Sequence, residues 1–162
     1  MSISTGETLP QATFRSMGAD GPEEHSTDDL FANKTVALFA VPGAFTPTCS
    51  SAHLPSFMRV EDQLRGKGID EIICLSVNDV FVMAEWAKIS GADKTGIRMI
   101  SDTDGAFTAA IGMDFTAPPV GLLGRSKRYA MIVENGKVTR LNAEESPGEC
   151  SISAGETLLD QL

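Results

Sequence analysis

The sequence predicts an α/β fold, a central mixed β-sheet with helices on both faces. Short apolar runs of strand length alternate with stretches whose apolar residues recur every three or four positions. An Asn-Gly pair between two such short runs marks a β-hairpin near the C-terminus. With 162 residues, 42% of them hydrophobic, the chain can bury one substantial core. Residues 1–162 are read as a single domain, because no repeat, low-complexity tract or composition break marks a linker.

Lys34 to Val41 is the first expected strand, apolar from Val36 onward and read as buried. It leads directly into a glycine-proline loop before Cys49. Leu54, Phe57, Met58, Glu61 and Leu64 then follow at helical spacing, and most of that face is apolar. Glu71 to Val77 is the second expected strand. Asn78 and Asp79 are good N-caps for a helix reaching about Ser90. Ile97 to Ile100 is a third strand, and Asp102-Thr103-Asp104 caps a short helix that Gly112 ends. Arg128 to Glu134 and Lys137 to Leu141 flank Asn135-Gly136, whose residues tolerate the positive φ of a tight hairpin. Ser153 to Leu162 reads as a terminal helix.

Charge and composition exclude several classes of function. The formal net charge is −9, so the surface repels phosphate backbones and anionic lipid, and neither nucleic acid nor membrane is an expected partner. The run Val36 to Val41 is far too short to cross a bilayer. MSISTGETLP lacks the basic and apolar regions of a signal peptide, so a soluble, cytoplasmic protein is expected. Its three cysteines, Cys49, Cys74 and Cys150, are odd in number and widely spaced, unlike a secreted disulfide scaffold.

The segment Thr46-Pro47-Thr48-Cys49 carries the chemistry. Thr46 suits an N-cap and proline suits the first helical position, which puts Cys49 in the first turn among unpaired N–H groups at the positive end of the dipole. That setting favours thiolate over thiol. Pro42-Gly43 lets the backbone turn tightly beside the sulfur. Ionisation alone raises the reactive fraction of an ordinary thiol by roughly 30-fold at most near neutrality. Fast chemistry at the sulfur needs more, from donors that align the substrate and stabilise the leaving group. Thr46 and a guanidinium from Arg125-Ser126-Lys127-Arg128 are suitable. On local physics alone a buried, inert Cys49 remains the competing reading. Cys74, in an apolar strand, is expected to be inert.

Pro42-Gly43-Ala44-Phe45-Thr46-Pro47-Thr48-Cys49 resembles the Pro-x-x-x-Thr-x-x-Cys signature of peroxiredoxins. Extended through Ser50, His53, Leu54 and Pro55, it is similar to the type II, or peroxiredoxin-five-like, subfamily. Cys74 to Asp79 with Phe81 and Trp86, then Lys127-Arg128-Tyr129, resemble further blocks of that subfamily in the same order. The resemblance implies a thioredoxin-like fold and thiol-dependent reduction of hydrogen peroxide and alkyl hydroperoxides, with no metal or organic cofactor. It implies that Cys49 becomes a sulfenic acid, that Thr46 and Arg128 orient peroxide, and that Pro42 shields the sulfenic acid. A homodimer is implied too, with Phe45 and Phe81 as contacts or, equally, as core residues. Glutathione, glutaredoxin or thioredoxin would supply the electrons.

Cys150 follows the turn-rich Ser146-Pro147-Gly148-Glu149 and is either a resolving cysteine or an incidental loop thiol. His53, four residues after Cys49, shares its helical face and could suggest a cysteine-histidine hydrolase dyad, but no hydrolase signature surrounds it and a structural role is expected. Pro55 should remove the helical bond to the Ser51 carbonyl and bend the helix. His25 sits among acidic residues and is expected at the solvated surface. No Cys-x-x-Cys or His-x-x-x-His pair suggests a metal. A non-enzymatic redox sensor that passes Cys49 oxidation to a partner is the alternative function.

Overall fold

The structure, a computed structural model, describes residues 1–162. Its main sheet has seven strands in the order β2-β1-β5-β4-β3-β8-β9. At its centre β3 (Thr35–Val41), β4 (Glu71–Ser76) and β5 (Arg98–Ser101) run parallel, while β8 (Tyr129–Glu134) and β9 (Lys137–Ala143) continue antiparallel from β3. The expected mixed sheet is therefore present. Alternate residues explain why β3 is apolar from Val36 onward. Ala37, Phe39 and Val41 enter one core cluster, and Val36, Leu38 and Ala40 enter the other. The first cluster packs beneath α2 (Leu54–Gly66), α3 (Val80–Ser90) and α5 (Gly155–Asp160). The second lies on the opposite face, where α1 (Thr27–Phe31) and α4 (Ala106–Ala110) contribute Leu30, Phe31 and Phe107.

Local signals set the element ends. Asp79 is the N-cap of α3, its side chain accepting from the Val82 N–H at 2.8 Å, and Gly91 ends the helix at φ 83°. Asn78 instead accepts from the Ala44 N–H and the Ser76 hydroxyl, so it ties β4 to the loop before Cys49. The β8–β9 turn has Asn135 at φ 48° and Gly136 at φ 79°, the conformation the Asn-Gly pair requires. Asp102 accepts from the Phe107 and Thr108 N–H groups, although Gly105 is the residue that precedes α4.

Two hairpins were not foreseen. β1 (Thr13–Gly18) and β2 (Gly21–Ser26) form the sheet's far edge, and β6 (Asp114–Ala117) with β7 (Leu122–Ser126) forms a separate two-stranded ribbon. Phe14 and Ser126 are their only buried residues, so neither hairpin shows a clean apolar alternation. His25 lies in this edge hairpin, half-buried, with its Nε2 2.7 Å from the Ser16 hydroxyl rather than free in solvent.

The register brings the chemistry together. Tyr129 pairs with Ala40, so Arg128 emerges where β3 ends and the Cys49 loop begins. The C-terminal helix then covers α2 at very close range. The Gly155 N–H donates to Ser56 Oγ at 2.9 Å, and a Cβ on Gly155 would stand 2.7 Å from the Ser56 carbonyl oxygen. Gly155→Ala should therefore lower unfolding free energy by ~1–3 kcal/mol in chemical denaturation. An unchanged midpoint would contradict this close packing.

Candidate active site

The loop after β3 narrows onto a single sulfur. Pro42 and Gly43 are buried, and a Cβ on Gly43 would meet Thr46 Cγ2 at 3.2 Å and Arg125 Nη1 at 3.3 Å. A side chain at Gly43 would need these neighbours to give by a few tenths of an ångström, so glycine suits this close approach. The left-handed residue of the loop is Phe45, at φ 67°, a conformation uncommon for a bulky side chain and a local strain.

Thr46 precedes the helical turn as expected, and the Ser50 N–H donates to its carbonyl at 3.0 Å. Its side chain does not cap the backbone. The hydroxyl lies 2.8 Å from the Gly43 carbonyl oxygen and 2.7 Å from Cys49 Sγ. It has one proton for these two neighbours, so it can donate to either.

The turn itself departs from the expected regular helix. Cys49–His53 forms a π-helical turn, closed by the Leu54 N–H on the Cys49 carbonyl, and α2 begins after it. Pro55 sits in the first turn of α2. Its ring would clash with the carbonyl four residues back, and the wider π register immediately before it relieves that conflict.

Cys49 is fully buried, and Arg128, only 1% exposed, reaches it from across the sheet. The guanidinium Nη2 donates to Cys49 Sγ at 3.1 Å, and Nη1 lies 3.0 Å from His53 Nδ1. Nε and Nη2 both donate to the Pro147 carbonyl at 3.1 Å. An arginine can only donate, so His53 Nδ1 is the acceptor and its Nε2–H donates to the Ser153 carbonyl at 2.9 Å. Burial, reinforced by the Arg128 cation, lowers the His53 pKa to about 3, while the Ser153 carbonyl opposes the shift. His53 is a neutral imidazole that orients Arg128. Sequence placed it on the correct face but could not bring Arg128 to it. Arg125 packs beside Gly43 and does not contact the sulfur in the way Arg128 does.

A cavity of about 420 Å³ opens over these groups, lined by Pro42, Thr46, Arg128, Pro147 and the apolar Val120 and Leu122. Sequence reading missed the last two, which the unforeseen β6–β7 ribbon supplies. Cys74 lies within β4, and burial, with Cys49 nearby, pushes its thiol well above its ordinary value. Cys150 is half-buried on the loop after β9. Burial raises its thiol, and the Arg128 cation opposes that shift. Phe45 and Phe81 are 47% and 65% exposed, so they are surface residues rather than core. No three histidine, cysteine or acidic side chains converge as a metal site would need, and no helix is long and apolar enough to cross a membrane.

A mixed α/β sheet that presents one buried cysteine between a hydroxyl and a guanidinium defines a cysteine-based redox protein on a thioredoxin-like scaffold. The redoxin family model matches residues 4–159. Peroxiredoxin-2C of Oryza sativa subsp. japonica is 42% identical, the match covering 99% of this chain and 98% of that protein. Chloroplastic peroxiredoxin-2E of Arabidopsis thaliana is 43% identical over 99% of this chain and 70% of its own. Among solved structures, reduced Prx3 of Vibrio vulnificus in complex with hydrogen peroxide superposes with a TM-score of 0.90 at 47% identity, covering 98% of each chain. The chain belongs to the redoxin family and, within it, to the peroxiredoxins of type II, which are thiol peroxidases.

The neutral His53 has a measurable consequence. Its folded pKa lies below the ordinary 6.5, so between those values the unfolded chain binds a proton the folded chain refuses. Stability from this residue is complete above pH 6.5 and falls with acidification towards pH 3, by up to about 1.4 kcal/mol per pH unit. NMR should find the His53 ring signals unchanged from pH 8 to about pH 4.5, and a midpoint near 6.5 would contradict the arrangement.

Proposed function

We propose that this peroxidase reduces hydrogen peroxide and alkyl hydroperoxides at Cys49. The observation that carries the reading is the convergence of Thr46 Oγ1 and Arg128 Nη2 on one sulfur, at 2.7 and 3.1 Å, beneath a cavity. The similarity to a solved structure described as a complex with hydrogen peroxide supports it.

The Cys49 thiolate attacks the terminal oxygen of ROOH. An S–O bond forms as the O–O bond breaks, sulfur is oxidised by two electrons, and RO⁻ leaves to take a proton as ROH. The terminal oxygen keeps its hydrogen, giving a sulfenic acid. Arg128 stabilises charge on both the attacking sulfur and the departing oxygen, as fixed donors in a dry site do. With its proton on the Gly43 carbonyl, the Thr46 hydroxyl offers a lone pair to the peroxide O–H. Pro42 walls one side of the sulfur and limits access to the sulfenic acid. The apolar Val120 and Leu122 suit an alkyl substituent.

Cys150 then resolves the sulfenic acid, releasing water and forming an intramolecular disulfide that a thioredoxin-type donor reduces. Its half-buried thiol on a loop beside Cys49 supports this, whereas Cys74 is locked within a central strand. Glutathione or glutaredoxin replaces this route if Cys150 does not engage. Exposed Phe45 on the loop and exposed Phe81 on α3 support a homodimer, and three free cysteines suit a reducing cytoplasm.

Intact mass of the reduced protein after one equivalent of hydrogen peroxide tests this chemistry. Loss of two hydrogens that requires both Cys49 and Cys150 is expected. One added oxygen on Cys49, unaffected by Cys150→Ser, would exclude Cys150 and favour glutathione or glutaredoxin. An unmodified Cys49 would overturn the assignment of the nucleophile.

A further inference from the structure

Glu144, immediately after β9, is 8% exposed and forms no salt bridge. Its backbone N–H donates to the Arg128 carbonyl at 3.0 Å. Its carboxylate takes four hydrogen bonds from the far end of the following loop. Oε2 accepts from the Ser151 N–H at 2.8 Å, the Ser153 N–H at 2.8 Å and the Ser153 hydroxyl at 2.6 Å, and Oε1 accepts from the Ser151 hydroxyl at 3.3 Å. Burial pushes this carboxyl up, but the bonds from Ser153 and Ser151 more than offset it and hold it below its ordinary value.

The loop closed in this way supplies much of what positions the active site. The Pro147 carbonyl receives two N–H groups of Arg128, and the Ser153 carbonyl fixes the His53 tautomer that orients Nη1. The Gly148 carbonyl accepts from the Thr48 hydroxyl at 3.1 Å. Residues Glu145 to Glu149 are all exposed. No buried apolar side chain within that stretch holds it down, so closure depends on these polar bonds.

We propose that Glu144 is a positioning residue that clamps the 145–153 loop onto Arg128 and His53, so that loop closure and aim of the guanidinium at Cys49 are one event. Cys150 rides on the same loop. Closure therefore favours attack on peroxide while restraining Cys150, and opening reverses both. The inference rests on the reading of Cys49 as the peroxide nucleophile.

Glu144→Gln is isosteric but replaces one acceptor oxygen with an NH₂ that faces N–H and O–H donors. The test measures two rates on the full-length reduced protein: Cys49 thiol loss with hydrogen peroxide, and Cys150 alkylation by iodoacetamide, resolved by peptide mass. Glu144→Gln should slow the first by about tenfold, as expected for a misdirected donor, and speed the second several-fold. An unchanged Cys49 rate overturns the proposal, whatever Cys150 does. A slower Cys49 with unchanged Cys150 also overturns it, because Glu144 would then not act through the loop. Ser153→Ala keeps the Ser153 carbonyl and removes one of the four bonds. It should shift both rates the same way by less, and it decides the question if Glu144→Gln does not fold. Wild-type protein is measured alongside. If its Cys49 ignores peroxide, the nucleophile assignment falls together with this inference. If it reacts and the variants match it, only the clamp falls.

Discussion

The site depends on a buried cation that has no carboxylate partner. Arg128 is 1% exposed, and no aspartate or glutamate pairs with it. Removing a guanidinium from water costs several kcal/mol unless its donors are met. Here four of the five are met, by the Pro147 carbonyl, the His53 imidazole and the Cys49 sulfur. Only the sulfur can become an anion. The fold therefore holds a positive charge whose natural counter-charge is the cysteine itself. His53 must stay neutral for this to work, since a second cation there would repel the first. Its burial and the Arg128 cation keep it so, while the Ser153 carbonyl fixes its tautomer.

Much of the scaffold was legible because burial imposes pattern. β3, β4 and β8 are covered on both faces and read as unbroken apolar runs. The β8–β9 turn was legible for a different reason, since Asn135 and Gly136 occupy backbone regions closed to most residues. The β1–β2 and β6–β7 hairpins gave no such signal. Phe14 is the one fully buried side chain of the first pair, and charged Arg15, Glu23 and Glu24 dominate the rest. Edge strands facing solvent tolerate such residues, so periodicity fails there.

The site divides along the same line. Thr46, Pro47 and Cys49 are near in sequence, and short-range rules placed them in one turn. Arg128 was identified through resemblance, while its approach to the sulfur follows from the Ala40–Tyr129 register, which sequence spacing does not contain. The π turn stands where a conflict was visible in advance, that of Pro55 with the carbonyl of Ser51. Glu144 carried no signal at all, because its four partners lie on an irregular loop. The whole arrangement joins residues separated by about a hundred positions into one donor network around one sulfur.

The only tryptophan gives that network its most direct test. Trp86 Nε1 donates to the hydroxyl of Ser50, the residue after Cys49, at 3.1 Å, so its fluorescence reports on the turn that carries the sulfur. Stopped-flow Trp86 fluorescence with hydrogen peroxide, comparing wild type, Arg128→Ala and Arg125→Ala, separates the two candidate guanidinium groups. Loss of Arg128 should slow Cys49 oxidation by ~10²–10³-fold, the usual effect of removing a preorganised donor. Arg125→Ala should stay within a few-fold of wild type. Equal slowing by both, or none by Arg128→Ala, would contradict the central role given to the buried cation.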